Sequence, residues 1–210
     1  MNHQRDCPRP QRGRRGELLL LALLVTACGP GNAQYTILDE GSGEPIVTHI
    51  RRTVGSRFLF GQMTTDGKVG ALGEASYTGH VTLTDGPEVL VYGTLDGDVF
   101  LQYSGLDDAL EFTWGDSTSL ADAPVLSMRL PLKLGTRWRT FDAKGTPFYE
   151  YRVETVERVT VPAGTFDTAR LTQLNLRAGT QVNRWFTNDV GLVQRNESLL
   201  FSYSLAPEAP

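Results

Sequence analysis

Apolar and polar residues alternate with a period of two through much of the chain. Tyr149, Tyr151 and Val153 alternate with Glu150, Arg152 and Glu154. That spacing puts aromatics on one face of a strand and charges on the other. Val125 to Leu130 alternates around Ser127 and Arg129, and Val193 to Tyr203 brings Leu199, Phe201 and Tyr203 together. Val89-Leu90-Val91-Tyr92 and Val99-Phe100-Leu101-Gln102-Tyr103 are short β-prone runs. Asp66-Gly67, Asp85-Gly86 and Asp96-Gly97 punctuate the first half, and Lys144-Gly145, Ala163-Gly164 and Ala178-Gly179 the second. Such pairs tolerate positive φ and suit tight hairpins. A helical period is scarce: only Leu106 to Leu120 predicts a turn or two of helix, around Asp107–Glu111, before Gly115 ends it. The pattern predicts an all-β fold, a large curved antiparallel meander of roughly ten to twelve strands, half-barrel or barrel-like, with at most one or two short helical turns. A sheet of that size has to curl or fold on itself to bury one face.

The N-terminus departs from this pattern. Arg5, Arg9, Arg12, Arg14 and Arg15 precede an apolar run from Leu18 to Val25, followed by Thr26, Ala27 and Cys28. A basic segment, a short apolar core and small residues before a cut site make a secretory signal peptide. The run is too short to span a bilayer, which takes about 20 residues. Val25-Thr26-Ala27-Cys28 resembles the lipobox of bacterial lipoproteins. The resemblance implies cleavage between Ala27 and Cys28, a diacylglyceryl group on the Cys28 sulfur and an acyl chain such as palmitate on its new amine. Two or three acyl chains, at about 0.8 kcal/mol per buried methylene, hold a protein on a membrane almost permanently. The domain reading is a signal peptide at 1–27, a lipidated Cys28 with a flexible tether to residue 45, a β domain at 46–205 whose two halves would meet near 122, and a disordered tail at 206–210. Gly29 stands where some lipoproteins carry the Asp that retains them at the inner membrane. The implied location is therefore extracytoplasmic, at the outer membrane where the organism has one.

Removing residues 1–27 leaves 183 residues with 15 basic and 22 acidic side chains, a net charge of −7 with His neutral. An acidic body of this kind argues against nucleic acid as a partner, because phosphate contacts need clustered Lys and Arg. Cys7 leaves with the signal peptide, so Cys28 is the sole cysteine after cleavage and no disulfide or cysteine-ligated metal is expected. Charge is uneven: Val69 to Met128 holds ten acids and no Lys or Arg, whereas Arg129 to Arg195 holds eleven basic residues against six acids.

The second half carries a further set of pieces: Leu130-Pro131-Leu132-Lys133-Leu134-Gly135-Thr136-Arg137-Trp138, then Val161-Pro162-Ala163-Gly164-Thr165-Phe166, then Trp185-Phe186 and Val190-Gly191-Leu192-Val193. This order resembles a widespread group of uncharacterised bacterial secreted proteins and lipoproteins, over about residues 125–200. The resemblance implies a β-rich envelope domain and transfers no catalytic residue. The pieces also have structural readings: Pro162 to Thr165 is a turn, Phe166 drops into the core on the return strand, and Gly135 allows a bend before Trp138 packs. A curved antiparallel sheet is also similar to the half-barrel of lipoprotein carriers, whose plugging helices have no counterpart in this sequence.

Candidate chemistry is thin. His49 and His80 are the histidines after residue 27, and neither falls in a nucleophile elbow or a His-Glu-x-x-His pattern. Asp96 and Asp98 with Asp107 and Asp108 could offer oxygens to calcium, but their spacing matches no EF-hand loop. Glu150, Arg152, Glu154, Glu157 and Arg158 read as a solvent face with cross-strand partners. Asn196-Glu197-Ser198 matches a glycosylation acceptor, a pattern without meaning in a bacterial lipoprotein. No catalytic residue, metal site or cofactor is expected. The expected function is a non-enzymatic envelope module that meets the membrane through its anchor and binds a lipid, peptide or protein partner. A structural or assembly factor is the alternative, and a hydrolase built around either histidine a third.

Overall fold

The computed structural model of the chain describes residues 25–28, 33–83, 87–94, 97–104, 109–116 and 119–207, with backbone alone at 25–28, 104, 116 and 119–122. Among these residues there are sixteen strands and no helix. They are β1 (Val25–Cys28), β2 (Gln34–Asp39), β3 (Ser42–Val47), β4 (Arg57–Met63), β5 (Val69–Thr82), β6 (Glu88–Thr94), β7 (Gly97–Ser104) and β8 (Leu110–Asp116). They continue as β9 (Ser119–Arg129), β10 (Leu132–Leu134), β11 (Arg137–Phe141), β12 (Pro147–Val161), β13 (Gly164–Asn175), β14 (Gln181–Thr187), β15 (Gly191–Arg195) and β16 (Ser198–Ser204).

Fourteen of them form one antiparallel sheet in the order β1-β2-β11-β12-β13-β14-β15-β16-β4-β5-β6-β7-β8-β9, and β3 pairs with β10 apart from it. The sheet is therefore two meanders, β4–β9 and β11–β16, stitched where the last strand meets β4 through pairs such as Leu200↔Phe60. Its two ends approach each other: β9 contacts β2 and β11, and the buried Trp138 on β11 donates from Nε1 to the Leu126 carbonyl on β9 at 3.1 Å. The sheet nearly closes into a barrel. Curling is what lets one face of so wide a sheet leave water.

Every glycine read as a turn residue and described here has positive φ, from 67° at Gly179 to 143° at Gly164. Gly164 closes the β12–β13 hairpin, in which Thr160 faces Thr165 across the strands. Gly135, at φ 83°, turns the chain between β10 and β11, so that Trp138 comes to lie on Tyr151 with ring centroids 4.9 Å apart. The alternation in β12 does what its period demands: Tyr151 and Val153 are buried, while Glu150 faces Arg139 across the β11–β12 ladder.

Four sequence expectations need correction. The tether does not run to residue 45: Tyr35 and Thr36 are buried, β2 hydrogen-bonds to β11, and Val47 of β3 is fully buried against β10. Apolar residues in so short a stretch find a sheet edge to join, which the Gly-rich composition obscured. The helical turn around Asp107–Glu111 is a strand from Leu110 onward, because Phe112 packs in the core and β7 and β9 supply ladder partners on both sides. Those two segments supply three of the sixteen described strands, which exceed the expected ten to twelve. Residue 122 falls inside β9, so the chain passes from one meander to the other only after that strand, between β9 and β11. Ala206 is tied to the body, its N–H donating to Ser56 Oγ at 3.0 Å. Residues 1–24 and 208–210, where most of the expected signal peptide and the end of the expected tail would fall, lie outside the described residues.

The buried side chains form two clusters. One gathers Tyr35, Phe112, Leu126, Met128, Trp138, Tyr151, Val153 and Leu171 near the seam. The other gathers Phe58, Tyr77, Leu90, Leu101, Val193 and Leu200 around the β16–β4 stitch.

Candidate functional site

Between these clusters the packing is incomplete. Strand alternation turns Phe58 and Phe60 of β4, Tyr77 of β5, Tyr92 of β6, Tyr149 and Tyr151 of β12 and Phe186 of β14 toward a cavity of about 490 Å³. Small-molecule sites occupy about 300–1,000 Å³ and are mostly apolar with a few convergent polar groups. Phe58 meets Tyr77 edge-on at 5.9 Å, and Tyr77 meets Tyr92 at 5.1 Å, so the aromatic wall is itself a packed unit. A second chamber, about 760 Å³, shares Phe60, Tyr92, Thr94, Leu192 and Arg195 with the first. It runs under the β4–β5 hairpin, where Met63, Val69 and Leu72 are exposed.

Burial raises the phenols of Tyr77 and Tyr92 well above the ordinary value, and the Glu111 carboxylate pushes in the same direction. Burial likewise raises Tyr151. These side chains stay neutral throughout the physiological range and keep a hydroxyl proton to donate.

Two kinds of charge face this interior. Glu111 on β8 is well served. Its Oε1 accepts from Ser127 Oγ at 3.0 Å, its Oε2 accepts from the Tyr103 hydroxyl at 3.3 Å, and Arg52 Nε lies 3.4 Å away. The Arg52 guanidinium also covers the Tyr103 ring at 4.4 Å. Both ionic side chains are largely out of water, at 9% and 17% exposure, so each needs the other. Arg184 and Arg195 differ. They are register partners on β14 and β15, and both line the cavity. Among the described residues neither has a carboxylate within ion-pair distance. Burial pushes the Arg184 guanidinium below its usual value, and the neighbouring Arg195 adds to this against Tyr151 and Glu111.

The residues singled out by sequence do not meet here. Ala27 and Cys28 lie in β1, whose backbone pairs with β2 through Cys28↔Gln34 and Ala27↔Tyr35; their side chains are outside the described set. His49 and His80 are both exposed. His49 Nε2 lies 2.8 Å from Asp189 Oδ1, and Thr48 Oγ1 lies 3.3 Å from His49 Nδ1, but this group sits on the surface with the pair 57% and 46% exposed. Asp98 is exposed on β7, while Asp96, Asp107 and Asp108 lie outside the described residues. No three His, Cys, Asp or Glu among the described residues converge as metal ligands. Of the β12 charges, Glu150 and Arg158 take cross-strand partners as expected, Glu150 accepting from Arg137 and Arg139 and Arg158 pairing with Asp167 at 2.9 Å, while Arg152 lies 3.7 Å from Glu154 on its own strand. Asn196 sits in the β15–β16 turn at φ 47° and accepts from the Asn183 N–H.

Sequence reasoning missed Arg52, Glu111, Arg184 and Arg195. Arg184 left a trace, since it shares strand parity with the buried Phe186. Arg195 left none. It lies three residues from Leu192, an odd spacing that would put the two on opposite faces. A bulge sets Phe186 opposite Leu192 but Trp185 opposite Gln194, so the extra residue, Val193, resets the parity and puts Arg195, itself exposed, on the cavity lining beside Arg184.

No protein-family model and no curated protein matches the chain. Two solved structures align with it. One is a candidate lipoprotein from Parabacteroides distasonis, at 12% identity and a TM-score of 0.33, covering 77% of this chain and 100% of its own. The other is a candidate exported protein with a YmcC-like fold from Bacteroides fragilis, at 11% identity and a TM-score of 0.32, with the same coverage. Likenesses this loose say nothing of activity.

Proposed function

We propose that this chain is an envelope lipoprotein, anchored through Cys28, that binds an apolar or amphiphilic small molecule in the interior of its sheet without turning it over. The observation that carries the binding reading is the aromatic cavity left between two otherwise packed clusters. Protein interiors are normally filled to crystal density, so an unfilled aromatic interior needs a reason. The second chamber adds a route, because it reaches the β4–β5 hairpin with its exposed Met63, Val69 and Leu72. The anchor reading rests on the basic start, apolar run and lipobox of the sequence. Cleavage before Cys28 would remove three of the four β1 residues and leave β2 as the sheet's edge.

The test is binding of the uncharged fluorophore N-phenylnaphthylamine to the full-length protein. Saturable one-to-one enhancement is expected, and Thr113→Trp, which fills the cavity from β8, should abolish it while the protein still melts cooperatively. Enhancement untouched by Thr113→Trp would place the dye elsewhere and overturn the reading. The anchor is checked separately: Cys28→Ala should lose both labelled palmitate and membrane fractionation.

A further inference from the structure

The paired arginines invite a sharper statement about the ligand. Like charges directly opposite one another on adjacent strands destabilise a sheet. Arg184 and Arg195 hold that position, facing a largely aromatic cavity. Glu111, which lines the same cavity, is already engaged by Ser127, Tyr103 and Arg52, and Glu74, which lines the second chamber with Arg195, lies 3.6 Å from Arg57. The strands opposite come from Val69 to Met128, a stretch with ten acids and no Lys or Arg, yet among its described residues none pairs with either guanidinium. A buried cation is normally paired. Here the half-buried Arg184 lines the cavity with no carboxylate among the described residues at ion-pair distance, and the exposed Arg195 stands beside it where the two chambers meet.

Building on the binding reading, we infer that Arg184 and Arg195 form an anion subsite that takes the carboxylate or phosphate head of a single-chain amphiphile, with its hydrocarbon chain along Phe58, Tyr77 and Tyr92. A guanidinium fork matches both oxyanions and can hold either through two parallel hydrogen bonds. The negative head would offset the repulsion between the two arginines. The aromatic wall would take the chain out of water.

The experiment uses the full chain in a non-ionic detergent, stripped of bound lipid on a hydrophobic resin and titrated with three sixteen-carbon probes under native mass spectrometry. Palmitate and hexadecyl phosphate carry the head; hexadecanol carries the same chain without charge. Palmitate, hexadecyl phosphate or both should bind one per chain, at least about tenfold more tightly than hexadecanol, since a charged group on a desolvated guanidinium gains more than 1.4 kcal/mol. The stronger of the two identifies the head as carboxylate or phosphate. Arg184→Gln should remove that preference and leave hexadecanol unchanged. Arg195→Gln, at the more exposed partner, gives the same readout if Arg184→Gln fails to fold. Hexadecanol binding as tightly as both anions, or a preference that survives both substitutions, overturns the anion subsite while leaving the cavity reading intact. Failure of all three probes to bind overturns both.

Discussion

At the scale of single residues, the surface of β12 shows how a two-residue period becomes energy. Glu150 faces Arg139 across the ladder and reaches Arg137 along it. Its Oε1 accepts from Arg137 Nε at 2.7 Å, and its Oε2 accepts from Arg139 Nε at 3.1 Å. Burial alone would disfavour the charged carboxylate, but the hydrogen bonds from Arg139 and Arg137 outweigh it and hold Glu150 below its usual value. A carboxyl whose folded pKa is depressed contributes stability that is fully present above the unfolded pKa and is lost as pH falls through the folded one. Urea unfolding at a series of pH values should therefore show this contribution intact above about pH 4.5 and fading below it. Glu150→Gln should cost about 1 kcal/mol near neutrality, a figure kept small because both arginines are partly in water, and should flatten the acid limb. An acid limb identical to that of the native chain would show that Glu150 does not carry it. The same period was legible for Arg184, which shares parity with Phe186. It was not legible for Arg195, whose place on the cavity lining depends on Val193 being the bulge residue. A bulge is chosen by the partner strand, so the chain's own spacing cannot announce it.

At the scale of elements, the hairpins were the most readable feature and the segment before residue 46 the least. An Asp-Gly or Ala-Gly pair between two β-prone runs specifies its turn locally. β2 and β3 have no such local signature; they are strands because β11 and β10 offer edges. Two glycines in this segment separate the readings. Gly41 and Gly43 have nearly the same left-handed backbone, φ 72° and 75°. A Cβ on Gly41 would stand 2.5 Å from Thr136 Oγ1 and 2.8 Å from the Leu134 carbonyl oxygen, whereas one on Gly43 would meet nothing within 4 Å. Gly43→Ala should cost about 1 kcal/mol, the strain of a left-handed alanine. Gly41→Ala should cost at least about twice that, because backbone atoms of the β10–β11 turn have to move. Chemical denaturation of the two variants checks the difference. Equal costs would mean that the segment does not dock against the turn. From Leu110 on, where a helical turn was allowed, the chain is strand for a related reason: its local composition was permissive, and ladder partners on both flanks decided the matter.

At the scale of the whole molecule, what matters is how nearly the sheet closes. The stitch between β16 and β4 joins the two meanders, and among the described residues the opposite seam has no ladder. Trp138 spans it: fully buried, stacked on Tyr151 with an interplanar angle of 9°, and bonded from Nε1 to the Leu126 carbonyl. Trp138→Phe keeps an aromatic ring but leaves that carbonyl without its donor, which should cost about 1–3 kcal/mol. Trp138→Ala should cost about 3–5 kcal/mol through the cavity it opens. Thermal and urea unfolding measure both, and a Phe variant as stable as the parent would mean that the seam is held elsewhere.

The sequence by itself determined the all-β class, the turns at Asp66-Gly67, Ala163-Gly164 and Ala178-Gly179, and the outward and inward faces of β12. Each of these rests on neighbours a few residues apart, where backbone sterics and a fixed two-residue period leave few choices. Tertiary structure alone decided that the last strand would pair with β4, that the tether would supply strands, that a bulge would bring Arg195 beside Arg184, and that the interior would stay open between two cores. Those outcomes depend on which distant edge a strand meets and how far a wide sheet must curl to leave water, and the spacing of residues along one chain does not encode that distance.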